Sequence, residues 1–417
     1  MASIVITAFG SRGDVNPFIA LGRRLKARGH KITFVLEEGM LPLVLLDGFK
    51  VRVLPSPKPS ASLNRMMAGK LKPFDFFKAS MRDYFLPALR ARIESLRAAC
   101  AGADLLLSHA LEYAAMSASE LAHVSWVSVV LTPLMPSSQV PPRAWPRWLP
   151  QPTLRLANAL LWRMTALRTR PIVDTPINAI RREYGLPPRS DLFTTGKLSP
   201  TLSAMTISEQ FMPRPTDWPD YLRMTGFCFW ETRNQWQPSP ELSTFLSDQR
   251  PVVAVSFGSM AANYRETESF FQTSVAAVNL AGAKALVVGA PKDVQIDAAR
   301  GDAICISYAP FSQVYPHCQA AIHHGGIGTT ALALATGTPA LVVPWGVDQF
   351  FNAAQVERIG AGRWMSRERY APQPASAAVQ SLLLEPRYRH RAREIAARIR
   401  QEDGVTTLVN EIERQLA

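Results

Sequence analysis

The residues best suited to chemistry crowd into positions 321–355, AIHHGGIGTTALALATGTPALVVPWGVDQFFNAAQ. A strand ends at His323, the turn Gly325-Gly326-Ile327-Gly328 follows, and a helix is predicted from about Thr329. The free N–H groups and positive dipole end of that helix suit a diphosphate, and His323 at the strand exit adds a hydrogen bond to a phosphate oxygen. Just past the next strand stand Asp348 and Gln349. A carboxylate that accepts, beside an amide that accepts and donates, suits sugar hydroxyls. The plainer reading of the glycines is a tight turn with His323 a satisfied loop residue; the Asp-Gln pair weighs against it.

A second glycine-rich turn, AFGSRGDVNPFIALG at 8–22, carries an acid, Asp14, and a proline, Pro17. It reads as a phosphate cradle, as a loop that does chemistry, or as a helix start near Pro17 with Asp14 its N-cap. A lone histidine, His109, ends the run ADLLLSH in the same half of the chain.

Positioning these groups requires strand exits. In the first half the predicted strands SIVITAF, KITFVL, FKVRVLP, ADLLLSH and VSWVSVVL alternate with helical stretches such as FIALGRRLKARGH and LEYAAMSASELAH. The second half restarts the pattern with PVVAVSFGS, KALVVG, AICISYAP, AAIHHGG and PALVVP. Such alternation implies parallel sheets covered by helices on both faces. The fold class is α/β, two doubly wound Rossmann-like domains in tandem facing across a cleft, as 417 residues are too many for one core. The boundaries predicted are 1–226, a linker at 227–240, and 241–417, with the last helix packing back on the N-terminal domain.

The formal charge of +13 favours acidic partners, yet no zinc spacing, RNA-binding signature or Lys/Arg block points to nucleic acid. Cys100, Cys228, Cys305 and Cys318 lack metal or redox spacing and read as buried free thiols of a reducing cytosol. No signal peptide and no membrane-length apolar run is read, so the expected location is cytoplasmic.

The segment His323-His324-Gly325-Gly326-Ile327-Gly328-Thr329, with Asp348-Gln349 downstream, resembles the donor signature of family 1 glycosyltransferases of the GT-B fold. GSRGDVNPFIALGRRLKARGH resembles the acceptor-domain start of their sterol, antibiotic and rhamnolipid branch, and LRMTGFCFW and INAIRREYGLPP resemble that branch too, its rhamnosyltransferases included. The resemblance implies donor contacts from His323, Gly325, Gly328, Thr329, Asp348 and Gln349. It implies stacking of a pyrimidine on Tyr308, base-edge contact from the Ala309 backbone, and a phosphate contact from Ser259. Many UDP-sugar enzymes carry a ribose-binding glutamate eight residues after the motif histidine; here that residue is Ala331, which brings deoxyribose (dTDP) donors into play. The catalytic base of the antibiotic branch falls on Asp14. His109 falls where plant relatives hold an acid, and a shared Asp14–His109 hydrogen bond is expected, in which His109 tunes Asp14, relays its proton or is itself the base.

The activity implied is an inverting, metal-independent hexosyl transfer from a UDP- or dTDP-sugar, UDP-glucose or dTDP-rhamnose in type, to a hydroxyl of an apolar, lipid-like or natural-product acceptor. The nucleotide sugar is a substrate, and no cofactor or metal is expected. A nucleotide-sugar epimerase and a non-catalytic accessory protein of the same architecture stand as alternatives. FGSRGD lacks the G-x-G-x-x-G of nicotinamide oxidoreductases. Finally, no Asp or Glu occurs from Leu121 to Val173, a stretch holding Arg143, Arg147, Arg155, Arg163, Arg168 and Arg170 with Trp145, Trp148 and Trp162. This composition fits peripheral contact with an anionic membrane, at its inner face, or a channel for an apolar acceptor, and equally a solvated basic helix with core tryptophans.

Overall fold

A computed structural model describes the chain except residues 46, 57–72, 134, 141–150, 231–235, 260, 262–265, 292–293, 297–300 and 347, and gives backbone alone at 73 and 151–154. It divides into two compact units: Met1–Glu209 with Pro213–Cys228 and Asp403–Ala417, and Gln210–Met212 with Phe229–Glu402. Arg143, Trp145, Arg147 and Trp148 lie outside the described residues.

The first unit holds one parallel sheet. Its strands are β1 (Ser3–Thr7), β2 (Lys31–Leu36), β3 (Lys50–Val53), β4 (Leu105–His109), β5 (Ser125–Val130), β6 (Leu202–Met205) and β7 (Leu222–Met224), in the order β3-β2-β1-β4-β5-β6-β7. All five residues of β4 are buried, as a strand covered on both faces requires. The helices that cover it include α1 (Arg12–Ala27), α2 (Leu86–Ala99), α3 (Tyr113–Ala122), α4 (Gln151–Thr169) and α5 (Asp174–Glu183). One apolar core gathers Val5, Val35, Leu106, Ile93, Leu96 and Ile177.

The second unit repeats the plan with β8 (Val252–Ser256), α6 (Thr267–Leu280), β9 (Lys284–Val288), β10 (Ala303–Ile306), β11 (Ala320–His323), α7 (Ile327–Thr336), β12 (Ala340–Val342), α8 (Gln349–Arg358), β13 (Gly362–Trp364), α9 (Pro372–Leu384) and α10 (Pro386–Ile399). Its strands run parallel in the order β10-β9-β8-β11-β12-β13. The final helix, α11 (Gly404–Leu416), belongs to the first unit, where Glu413 pairs with Arg28 and His30 beyond the end of α1.

In both sheets the first strand and the fourth lie side by side while their neighbours run outward in opposite directions. Ligands of open parallel sheets bind outside the strand C-termini at such a reversal. The register puts Thr7 beside Ser108 in one sheet and Ser256 beside His323 in the other. Asp14 and His109 therefore follow one switch point, and Ser259 and His323 the other.

Three local features differ from the sequence reading. Helix α1 begins at Arg12, not near Pro17, because Ser11 caps it and the proline is absorbed inside it. Strands β6 (LSAM), β7 (LRM) and β13 (GRW) are short and broken by Ser, Arg or Gly, so they do not stand out as apolar runs in the way the equally short ALV of β12 does. Cys305 is exposed on the edge strand β10, whereas the other three thiols are buried.

Candidate active site

In the second unit β11 delivers His323 into the switch point fully buried. Its Nδ1 accepts the Gly325 N–H at 3.1 Å. The ring proton therefore sits on Nε2, and that atom is buried without a hydrogen-bond partner. Burial, and secondarily the neighbouring His324, pushes the imidazole pKa down to about 3, so the ring is neutral at physiological pH. A buried N–H with no acceptor is costly and aims at something the protein does not supply.

The turn that follows is shaped by contact. Gly325 has φ +89°, and a Cβ there would fall 2.8 Å from Val342 Cγ1, so only glycine fits. A Cβ on Gly328 would meet nothing within 4 Å, which leaves open space over that backbone. Helix α7 starts at Ile327 behind Gly326, with no side-chain cap. The leading N–H groups of Ile327, Gly328 and half-buried Thr329 thus lack i−4 carbonyls and remain available to an anion.

Asn352, a residue the sequence did not single out, ties this turn to α8. Its Nδ2 donates to Gly325 O at 2.9 Å and to Asp348 Oδ2 at 3.1 Å. Asp348 and Gln349 are thereby held against the glycine turn. One expectation changes: Gln349 Oε1 accepts the N–H groups of Trp345 and Gly346 at 2.8 and 3.0 Å, so its oxygen is committed to the loop. Only the Gln349 NH2 remains to meet a sugar hydroxyl. Ser259 is exposed beyond β8. Tyr308, 38% exposed, follows β10 beside the buried Ala309. Three strand spacings separate β10 from β11, roughly 14 Å. Ala331 is buried in α7 and offers no carboxylate.

In the first unit Asp14 is the third residue of α1, not its N-cap. Its Oδ2 accepts the Ser11 N–H at 2.6 Å and the Ser11 hydroxyl at 2.8 Å. The carboxylate folds over Gly10, whose φ is +116° and where a Cβ would lie 2.4 Å from Asp14 Oδ2. Burial raises the Asp14 pKa and the two Ser11 bonds oppose that rise. Removing the hydroxyl removes one of the two opposing influences. Ser11→Ala is therefore expected to move the acid limb of the activity profile to higher pH, and to cost about 1 kcal/mol of stability through the weakened cap; a pH–rate series beside a denaturation curve checks both.

His109 does not share a hydrogen bond with Asp14, contrary to the sequence expectation. Each group is satisfied locally: His109 Nδ1 accepts the Leu111 N–H at 3.0 Å, and Asp14 is engaged by Ser11. Burial, with a smaller effect from the Lys197 charge, pushes the His109 pKa down to about 3. With Nδ1 used as an acceptor, His109 carries its proton on Nε2 and is a neutral donor. The two residues nevertheless share a neighbourhood, since Phe9, five residues before Asp14, sits edge-on to His109 at 6.5 Å between ring centroids.

Sequence reasoning missed what lies behind Phe9. A π-helical turn, Met81–Phe85, precedes α2 and packs Tyr84 and Phe85 on Phe9 at 5.4 and 4.8 Å. Beneath them Arg92, 2% exposed, bridges Glu37 at 2.9 Å and Glu112 at 3.0 Å, and its guanidinium lies 5.8 Å from the Phe9 ring. Burial works against this cation, and the two carboxylates more than restore it, so Arg92 stays charged. Its carboxylates come from the exits of β2 and β4, so the cluster ties loops flanking the switch point to one another. Arg92→Met would leave two carboxylates facing each other in a dry site. It is expected to destabilise the protein by about 3–5 kcal/mol, read as a lowered urea midpoint.

Comparison with known proteins decides the family. Residues 4–101 match the glycosyltransferase family 28 N-terminal domain, and residues 283–414 match the erythromycin biosynthesis protein CIII-like C-terminal domain. The chain is 32% identical to the O-mycaminosyltylonolide 6-deoxyallosyltransferase of Streptomyces fradiae, over 96% of this chain and 94% of that protein. The chain belongs to the GT-B glycosyltransferases. It is also 28% identical to a sterol 3-beta-glucosyltransferase of Aspergillus fumigatus over 99% of this chain, though it spans only 30% of that longer protein. Among solved structures it resembles the Streptomyces sp. SF2575 glycosyltransferase SsfS6 complexed with thymidine diphosphate, with a TM-score of 0.67 and 18% identity over 99% of this chain and all of that one. The first match covers β1 to β3 with α1 and α2 of the first unit, and the second covers β9 to β13 of the second unit and runs on into α11. This chain is accordingly a glycosyltransferase enzyme.

Proposed function

We propose that this glycosyltransferase moves a hexose, with inversion and without a metal, from a nucleoside diphosphate sugar to a hydroxyl of an apolar natural-product or lipid-like acceptor. The observation that carries the reading is the buried, partnerless His323 Nε2–H beside the uncapped start of α7. Together they supply N–H donors where a diphosphate gathers charge. The nucleotide sugar is a substrate, and the reaction so written uses no resident cofactor.

In this reading the second unit holds the donor. Tyr308 stacks on the base and Ala309 meets its edge. Ser259, Gly325, Gly328, Thr329 and His323 take the diphosphate, while Asp348 and the Gln349 NH2 take the sugar hydroxyls. The first unit presents the acceptor. Asp14 accepts the acceptor's hydroxyl proton as that oxygen bonds to the anomeric carbon. The bond from that carbon to the diphosphate oxygen breaks, and the departing charge is taken up by the α7 N–H groups and His323. His109, a neutral donor, orients the acceptor oxygen. A cytoplasmic location accords with the four unpaired cysteines.

A dTDP-6-deoxyhexose is the preferred donor, because Ala331 leaves no carboxylate for a ribose 2′-hydroxyl at that position. The name of the Streptomyces fradiae relative and the thymidine diphosphate in the SsfS6 structure support this choice. Thymidine diphosphate is expected to raise the melting temperature at least as much as uridine diphosphate at equal concentration, since a ligand that binds only the folded state must stabilise it. A shift with uridine diphosphate alone would overturn the donor preference. Release of free nucleoside diphosphate only when a lipophilic alcohol is added would confirm transfer.

A further inference from the structure

Helix α4 runs from Gln151 to Thr169 in the first unit and carries a feature the transfer chemistry does not use. Its packed face is formed by Asn158, Trp162 and Thr169, all buried. Trp162 Nε1 donates to Val140 O at 2.8 Å and Asn158 Nδ2 to Ser138 O at 2.9 Å, which fixes how the helix is rolled. The opposite side is apolar: Leu156 is 81% exposed, Leu160 59%, Met164 55% and Leu167 52%. At 3.6 residues per turn these four fall within an arc of about 80°, turned away from the packed face. A solvated helix shows polar residues there.

Charge frames the stripe. Arg163 flanks it on one side and Arg168 on the other, with Arg155 further round, and all three are exposed. None forms an ion pair among the described residues, and Arg168 lies 4.0 Å over the Phe74 ring. The surrounding sequence from Leu121 to Val173 has no acidic residue, and the whole chain carries a formal charge of +13. Among the described residues no helix is long and apolar enough to cross a membrane. Leucine and methionine on one face with arginines at the margins is the pattern of a helix that lies in a bilayer interface.

We propose that α4 docks this protein on an anionic lipid bilayer, with Leu156, Leu160, Met164 and Leu167 seated among the acyl chains and Arg155, Arg163 and Arg168 at the phosphate level. The inference goes beyond sugar transfer and does not depend on it. It commits to a lipid surface over a protein partner because unpaired cations surround the apolar stripe, a combination that an anionic headgroup layer satisfies over its whole length.

The test is flotation of the full chain with vesicles of phosphatidylcholine alone or with one third phosphatidylglycerol. Wild type is expected to float with the anionic vesicles, and to do so less as salt rises. L156Q/L160Q/L167Q should lose that binding at least tenfold. R155Q/R163Q/R168Q should lose it about 100-fold, near fivefold per arginine. These side chains are exposed, so both variants should keep the wild-type melting temperature and its rise with thymidine diphosphate, which separates loss of docking from loss of folding or donor binding. Absence of flotation with anionic vesicles would overturn the proposal, as would flotation unchanged in the leucine variant. A stripe-dependent shift of the free protein to dimers, with no lipid binding, would assign the face to a second copy instead.

Discussion

Asp14→Asn is expected to lower kcat about 10²–10⁴-fold while leaving nucleotide binding unchanged. The asparagine keeps an oxygen that accepts from the Ser11 N–H and hydroxyl, so the start of α1 and the close approach to Gly10 survive the change. What is lost is the ability to take a proton. The wild-type profile should bear the mark of the same group. Protonated Asp14 is inactive as a base, so activity falls as pH drops through its pKa. Because burial raises that pKa, the fall should begin above the usual carboxylate range near 4. Two measurements suffice: product formation against pH for both proteins, and the rise in melting temperature with thymidine diphosphate. Near wild-type turnover in the variant would reject Asp14 as the base. A lost melting transition would instead make it a structural cap.

That residue shows how far sequence reasoning reached. The acid and its glycine-rich loop were visible, and only the plainer alternative, Asp14 as N-cap, is displaced, since the cap is Ser11, three residues earlier. Pro17 suggests a helix start close to it, whereas the spacing Ser11-x-x-Asp14 is the better signal, a serine with an acid three positions on. The strands of both sheets were legible because buried parallel strands are continuous apolar runs. Strands β6, β7 and β13 were not, since Ser, Arg or Gly interrupts each of these short segments. The glycine turn after His323 was legible as a turn, and at Gly325 the close neighbours are the chain's own Val342 and Gln349. Its anchoring through Asn352 was invisible, because an asparagine one helical turn beyond Asp348 looks like any polar surface residue. The Glu37–Arg92–Glu112 cluster was hidden for a different reason. Sheet order, β2 beside β1 beside β4, brings the two carboxylates near each other and helix α2 supplies Arg92, and no spacing along the chain announces it. The expected Asp14–His109 bond failed on accounting: each side chain had a backbone N–H nearer to hand, at Ser11 and at Leu111. Adjacent strand exits bring residues to one neighbourhood, and local turns then decide which atoms pair.

His323→Ala is expected to weaken nucleoside diphosphate binding and to lower kcat a further 10²–10³-fold, the cost of removing a preorganised donor from a site of developing charge. The histidine is held from one side only: Nδ1 is spent on the Gly325 N–H, and Nε2–H faces no protein acceptor. Neutrality matters as much as geometry. With its pKa pushed down to about 3, the ring carries one proton on a defined nitrogen across the working pH range. The contribution should therefore be flat with pH, unlike the Asp14 limb, and a pH-independent rate deficit in the variant is the distinguishing result. His323→Gln, which can still present an N–H, should recover part of the loss. If alanine costs binding and rate nothing, the free Nε2–H is an unfilled polar group of the fold, and the diphosphate is held by α7 alone. If glutamine restores the melting temperature but none of the rate, the ring serves to set the Gly325 turn through Nδ1, not to receive the departing charge.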